Sequence, residues 1–145
     1  MIAGLFLSRT SFAQAPEPRA KGLQKKAMEE DYLATDFEKA AEKLKQAITL
    51  CGNDKCAPQL RANLRRDLGV VQIVGLNDKV KGTQNFVDAL KIDSTTALDP
   101  DVKTRDLEAA FADARKKAGI RDGSGGGGGG AGGGGGGGGA GGGGG

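Results

Sequence analysis

The chain has 145 residues and a formal charge of +3, from 21 basic and 18 acidic side chains, with neither histidine nor tryptophan. Without histidine it lacks the commonest general base and the commonest zinc ligand, which argues against an enzyme and against a metal protein. A charge this small, with both signs interleaved along the chain, points to neither nucleic acid nor an anionic membrane.

The first fifteen residues, MIAGLFLSRTSFAQA, hold an apolar run from Ile2 to Leu7 that is far too short to span a bilayer. Followed by small residues, it reads as the end of a secretory signal. Ser11-Phe12-Ala13 and Ala13-Gln14-Ala15 both place small residues where a signal peptidase requires them. No basic leader precedes the run and Arg9 interrupts it, so the alternative is a mildly apolar, disordered tail. Residues 1–18 are therefore expected to be leader, and residues 19–119 one helical domain with a modest core.

The first helix is expected to open after Pro18, with Leu23, Ala27 and Ala34 on one side and Met28 and Tyr32 beside them. It is the least regular of the set. The second is the clearest: Phe37, Ala40, Ala41, Leu44, Ala47, Ile48 and Cys51 recur at three- and four-residue steps, between Asp36 as N-cap and Gly52 as stop. A third starts near Pro58, where proline suits a first turn, and carries Leu60, Leu64, Leu68 and Val71 towards Gly75. The stretch VVQIV is strand-like in composition, but its continuity with the leucine ladder predicts helix. A fourth helix covers about Asp78 to Ile92, with Phe86, Ala89 and Leu90. After DSTTALDPD, Thr104 caps a fifth that carries Leu107, Ala110, Phe111, Ala114 and Ala118 and ends at Gly119.

Five helices joined by short turns imply antiparallel pairs, and comparing the pairs exposes a repeat. Ala40, Leu44, Ala47 and Ile48 stand at offsets of zero, four, seven and eight, and Gly82, Phe86, Ala89 and Leu90 reproduce them. Small residues at the first and third offsets let neighbouring helices approach closely, and the larger residue between fills the gap.

In these residues the chain resembles the tetratricopeptide repeat. DFEKAAEKLKQAITL is similar to the second helix of that motif, GTQNFVDALKID to the end of the next second helix, and LRRDLGVVQIV, with Leu68-Gly69, to the first helix before it. The stretch from Asn85 to Gly119, with its LDPD segment before the last helix, resembles repeat proteins of the bacterial cell envelope. Gln24 stands where the first-helix aromatic is usual, Met28 where glycine is usual, and about 42 residues separate Ala47 from Ala89 against about 34 in the motif. The resemblance implies an all-α fold, a short right-handed solenoid of antiparallel helix pairs with disordered termini. It also implies a non-catalytic scaffold whose concave face holds a protein or peptide partner. That face is lined mainly by first helices, which makes Gln24, Lys25, Asp31, Asn63, Arg66 and Asp67 the candidate partner-binding residues; the bland reading is that each is a solvated polar side chain. A self-associating assembly component is the alternative function.

No small-molecule substrate, cofactor or metal is expected. The sequence has no GxxxxGK[ST], and polyglycine without a following helix offers a phosphate neither dipole nor lysine. Glu29, Glu30 and Asp31 are a helical charge run without a nucleophile, and Arg61, Arg65 and Arg66 are too few for nucleic acid without aromatics to stack on. Residues 123–145 are glycine except Ser124, Ala131 and Ala140. Such a segment has no side chains to bury and is expected to form a disordered tail from residue 120, coiled over roughly 25–30 Å. It reads either as a tether towards a further domain or as a low-complexity end without function.

Cys51 closes the second helix on its apolar side and Cys56 precedes the third, with GNDK between. Four intervening residues with a glycine can bring two Cα atoms to disulfide distance. A zinc site would need carboxylates to complete it, and two reduced, buried thiols are the other alternative if the chain stays in the cytoplasm. Export to the periplasm or cell envelope makes the bridge the expected state.

Overall fold

The structure, a computed structural model, describes residues 15–121. The leader up to Gln14 and the glycine-rich tail lie outside the described residues. Five α-helices follow one another: α1 (Pro16–Lys25), α2 (Phe37–Cys51), α3 (Pro58–Val74), α4 (Lys79–Ile92) and α5 (Arg105–Lys117), with no strand among the described residues. A π-helical segment, Lys26–Tyr32, continues α1, and a short 3-10 turn, Pro100–Val102, precedes α5.

The helix α1 opens at Pro16, so the expected start after Pro18 is three residues late. The first four N–H groups of a helix have no intrahelical acceptor, and both prolines fit within that turn. The Glu17 carboxylate ties this turn to the start of α3 by accepting from the Ala57 N–H at 3.0 Å. That bond, with the Lys21 ammonium 2.9 Å away, holds the Glu17 carboxyl below its ordinary range. The irregularity of the first helix has a physical form, the wide π turns. They leave Ala34 in the exposed turn beyond Tyr32, not on the packed side.

Within that turn Thr35 adopts φ 61°, a left-handed conformation that crowds a β-branched side chain. Thr35→Gly is expected to raise stability by about 0.5–1 kcal/mol, the relief of strain exceeding the added freedom of the unfolded chain. Urea unfolding of the two proteins checks this, and a less stable variant refutes it.

Caps differ from one another. Thr104 and Asp78 accept from the N–H groups of Leu107 and Lys81 and start α5 and α4 as capped helices. Asp36 occupies the N-cap position of α2, but its carboxylate bonds the Lys39 ammonium and makes no capping bond to the backbone. At the end of α5, Gly119 takes φ 76°, its N–H reaches the Lys116 carbonyl, and the Ile120 N–H reaches back to Arg115. This is a glycine-terminated stop, and Ile120 folds onto the core beyond it.

Each helix packs on its neighbours in sequence, and α3 also touches α5. Two apolar clusters result. Ala40, Leu44, Ala47 and Cys51 of α2 meet Ala20 and Ala27 on one side and Leu60, Leu64, Leu68 and Val71 of α3 on the other. Phe86, Val87 and Leu90 of α4 meet Val70 and Ile73 of α3 and Leu107, Ala110, Phe111 and Ala114 of α5. The rings of Phe86 and Phe111 meet edge to face at 5.2 Å. Because α3 contributes to both clusters, its second half is buried nearly all round, which explains why the strand-like VVQIV is helical.

Of the eight repeat positions, Ala40, Leu44, Ala47, Gly82, Phe86, Ala89 and Leu90 are buried and Ile48 is half-buried. Gly82 faces Gly69 of α3 so closely that a Cβ on either would lie 2.8 Å from the other's carbonyl oxygen. At the far end of α3 the helices are pinned by the two cysteines. Their sulfurs are at bonding distance, with Cα atoms 5.0 Å apart, and both residues are buried in the first cluster.

Candidate functional site

The end of α1, the π-helical segment, the middle of α3 and the segment 99–102 enclose a cleft of about 480 Å³. Its walls carry charges of both signs, Lys21, Lys25 and Glu29 from the first helix and Asp99 and Asp101 from the LDPD segment. Met28, Tyr32, Leu33 and Val102 supply apolar surface, and Leu33 stands 73% exposed at the rim. Seven residues of π-helix on one wall are themselves notable, because such turns recur at functional sites.

The floor is a polar chain linking three parts of the fold. Gln24 Nε2 donates to Asp67 Oδ2 at 2.7 Å, and Arg66 Nε donates to Asp67 Oδ1 at 2.8 Å. Arg66 Nη1 donates in turn to the Ala97 carbonyl at 3.1 Å, holding the loop after α4 against α3. Leu98 follows into the second cluster, and Asp99 caps the 3-10 turn through the Asp101 N–H. The loop is thereby fixed as a wall of the cleft.

Four of the six candidate partner-binding residues therefore come together here: Gln24, Lys25, Arg66 and Asp67. Two do not. Asp31 turns to the Lys43 ammonium of α2 as an ion pair between helices, and Asn63 is half-buried on α3 away from the cleft lining. Asp67 is no exposed recognition residue either. It is 4% exposed, and its carboxylate is used within the fold. Asp99, Asp101, Val102, Tyr32 and Leu33 were not legible as site residues, because no local pattern announces that a loop 31 residues after Arg66 will return to it.

Burial raises the Asp67 carboxyl above its ordinary range, as does nearby Asp99, against the charge of Arg66 and the hydrogen bonds from Gln24 and Arg66. Burial likewise raises the half-buried Tyr32 hydroxyl. A raised folded-state pKa means the native protein binds this proton more tightly than the unfolded chain. The Asp67 contribution to stability is thus present at low pH and lost as pH rises through the folded pKa. Glu17, Asp36, Asp78 and Asp93 are lowered and act oppositely, their stabilisation being lost as pH falls. Asp67→Asn is expected to lose more stability than the wild type on acidification from about pH 7 to about pH 4.5. Urea unfolding at the two pH values reads this directly, and equal losses overturn it.

A larger groove, about 680 Å³, runs between α1 and α2 past Leu23, Lys45 and Leu50, but no buried side chain lines it. Among the described residues no group of three or more acidic, cysteine or histidine side chains is placed to hold a metal, and no helix is long and apolar enough to cross a membrane. No protein-family model matches the chain, and neither a curated protein nor a solved structure matches it.

Proposed function

We propose that the domain is a non-catalytic, tetratricopeptide-like interaction module of the bacterial cell envelope that binds a protein or peptide segment in the cleft between the first helix, α3 and the LDPD segment. The observation that carries this reading is the cleft itself. It is open, it mixes apolar surface with charges of both signs, and it is lined by the first helices of two successive pairs. Antiparallel pairing is supported by contacts that run in opposite directions along the chain. Arg65 faces Asp88, Gly69 faces Phe86, and Ile73 faces Gly82. Phe37 at the start of α2 packs on Gly75 beyond the end of α3. Export is supported by the cysteine pair at bonding distance, since such bonds persist in oxidising compartments.

Capture from envelope extract tests the reading when wild type and cleft variants are compared. Leu33→Asp changes an exposed rim residue, so the fold is retained while the apolar contact is replaced by charge. The partner is expected to bind the variant at least about tenfold more weakly. A captured set unchanged by Leu33→Asp and by Lys25→Glu refutes the cleft as the binding surface.

One observation favours the alternative of a self-associating component. Val74, Leu76 and Val80 are exposed around the α3–α4 turn, Val80 by 82%. Light scattering on residues 15–121 separates the two: a monomer supports the binding module, and a dimer dispersed by Val80→Lys supports assembly.

A further inference from the structure

A second pocket, sharing no residue with the cleft, lies at the disulfide end of the molecule. The ends of α2 and α4, the first turns of α3 and the turn after Cys51 enclose about 370 Å³. Arg61 and Arg65, one helical turn apart on α3, both line it. The one carboxylate there, Asp88, lies 3.6 Å from Arg65, with both side chains about one-third exposed, so it holds Arg65 only loosely. Arg61 donates Nη1 to the Asn53 carbonyl, but its Nε–H is buried with no acceptor. Buried donors in proteins are almost always paired, so this Nε–H is available to an acceptor.

Two guanidinium groups against one carboxylate leave the pocket with one unit of positive charge. A single monoanion neutralises it, whereas a phosphate dianion would overshoot. The planar fork of arginine N–H groups matches a carboxylate in a bidentate manner. Ile48 and Ile92 line the pocket beside the arginines and offer apolar walls. We infer that this pocket binds a monoanionic carboxylate carried on a short aliphatic body, with Arg61 and Arg65 holding the carboxylate and Ile48 and Ile92 packing the body. The bonded cysteines keep the wall formed by Gly52 and Asn53 in place.

Two sources present this chemistry, a free aliphatic acid and the carboxyl terminus of a peptide. The full chain, labelled with nitrogen-15, is titrated with sodium butyrate, N-acetyl-leucine and sodium phosphate at constant ionic strength, with chloride as reference. The arginine Nε–H signals report binding. Butyrate or N-acetyl-leucine is expected to shift Arg61 and Arg65 saturably with half-saturation at or below about 10 mM, and the tighter of the two identifies the source. Arg65→Gln, which leaves the Arg61–Asn53 bond intact, is expected to weaken binding about tenfold. Shifts that never saturate, or affinity unchanged in Arg65→Gln, overturn the site. Tighter binding of phosphate than of either carboxylate overturns the ligand class.

Discussion

Gly82→Ala is expected to cost the domain about 3 kcal/mol, although glycine to alanine inside a helix ordinarily stabilises by about 1 kcal/mol. The added Cβ would lie 2.4 Å from Ile73 Cγ1 and 2.8 Å from the Gly69 carbonyl oxygen. Ile73 is buried with little room to move, and a backbone carbonyl cannot swing away, so α3 and α4 must separate. The same argument holds from the other side, where a Cβ at Gly69 would meet Phe86 Cε1 at 2.6 Å and the Gly82 carbonyl at 2.8 Å. One separation of the helices relieves both clashes, so the double variant Gly69→Ala/Gly82→Ala is expected to cost less than the sum of the single ones. Gly22 on α1 is the control. A methyl group added there would have nothing within 4 Å, and Gly22→Ala is expected to stabilise by about 0.5–1 kcal/mol. Thermal unfolding resolves all four, since each kcal/mol moves Tm by about 4–8 °C in a domain of this size. A Gly82→Ala protein as stable as the wild type would show that the two helices do not approach so closely.

Breaking the cysteine pair is expected to cost about 2 kcal/mol by the chain-entropy relation for so short a loop. Replacing both residues with alanine adds the loss of sulfur packing, because Cys51 and Cys56 are buried in the same apolar cluster as Leu44, Ala47 and Leu60. The turn keeps other ties, among them the Lys55 N–H to the Cys51 carbonyl at 2.9 Å and the Arg61 bond to Asn53. The loss is therefore expected to leave the fold intact while lowering its midpoint of unfolding. Urea unfolding with and without reductant measures it, and coincident curves refute a stabilising bond. Mass spectrometry of material alkylated on extraction from whole cells tests the proposed export. Free Cys51 and Cys56 there would refute the bridge and remove the main support for export.

How much of this was legible in the sequence depends on whether a feature is local. The stripe Phe37, Ala40, Ala41, Leu44, Ala47, Ile48 and Cys51 identifies α2 and its buried side, because a period of 3.6 residues is written along a single element. Thr104 and Gly119 mark the ends of α5 for the same reason, and the shared offsets of Ala40 and Gly82 name positions where neighbouring helices come close. The four residues between the cysteines likewise limit how far apart they can lie.

Tertiary structure alone decided the rest. Asp67 reads locally as one charge on a polar helical face, yet α3 is covered on both sides, so Asp67 is buried between Gln24, 43 residues earlier, and the neighbouring Arg66. Asp36 reads as a cap but turns to Lys39, because the backbone bond competes with a nearby ammonium. The π turns of Lys26–Tyr32 have no signature in the residue types of that stretch. The cleft exists because segment 97–102 folds back onto α3 through the Arg66–Ala97 bond and the burial of Leu98. Periodicity describes one element against an unspecified interior. Which second element covers it, and which polar groups are thereby taken out of water, is settled only when distant segments compete for the same surface.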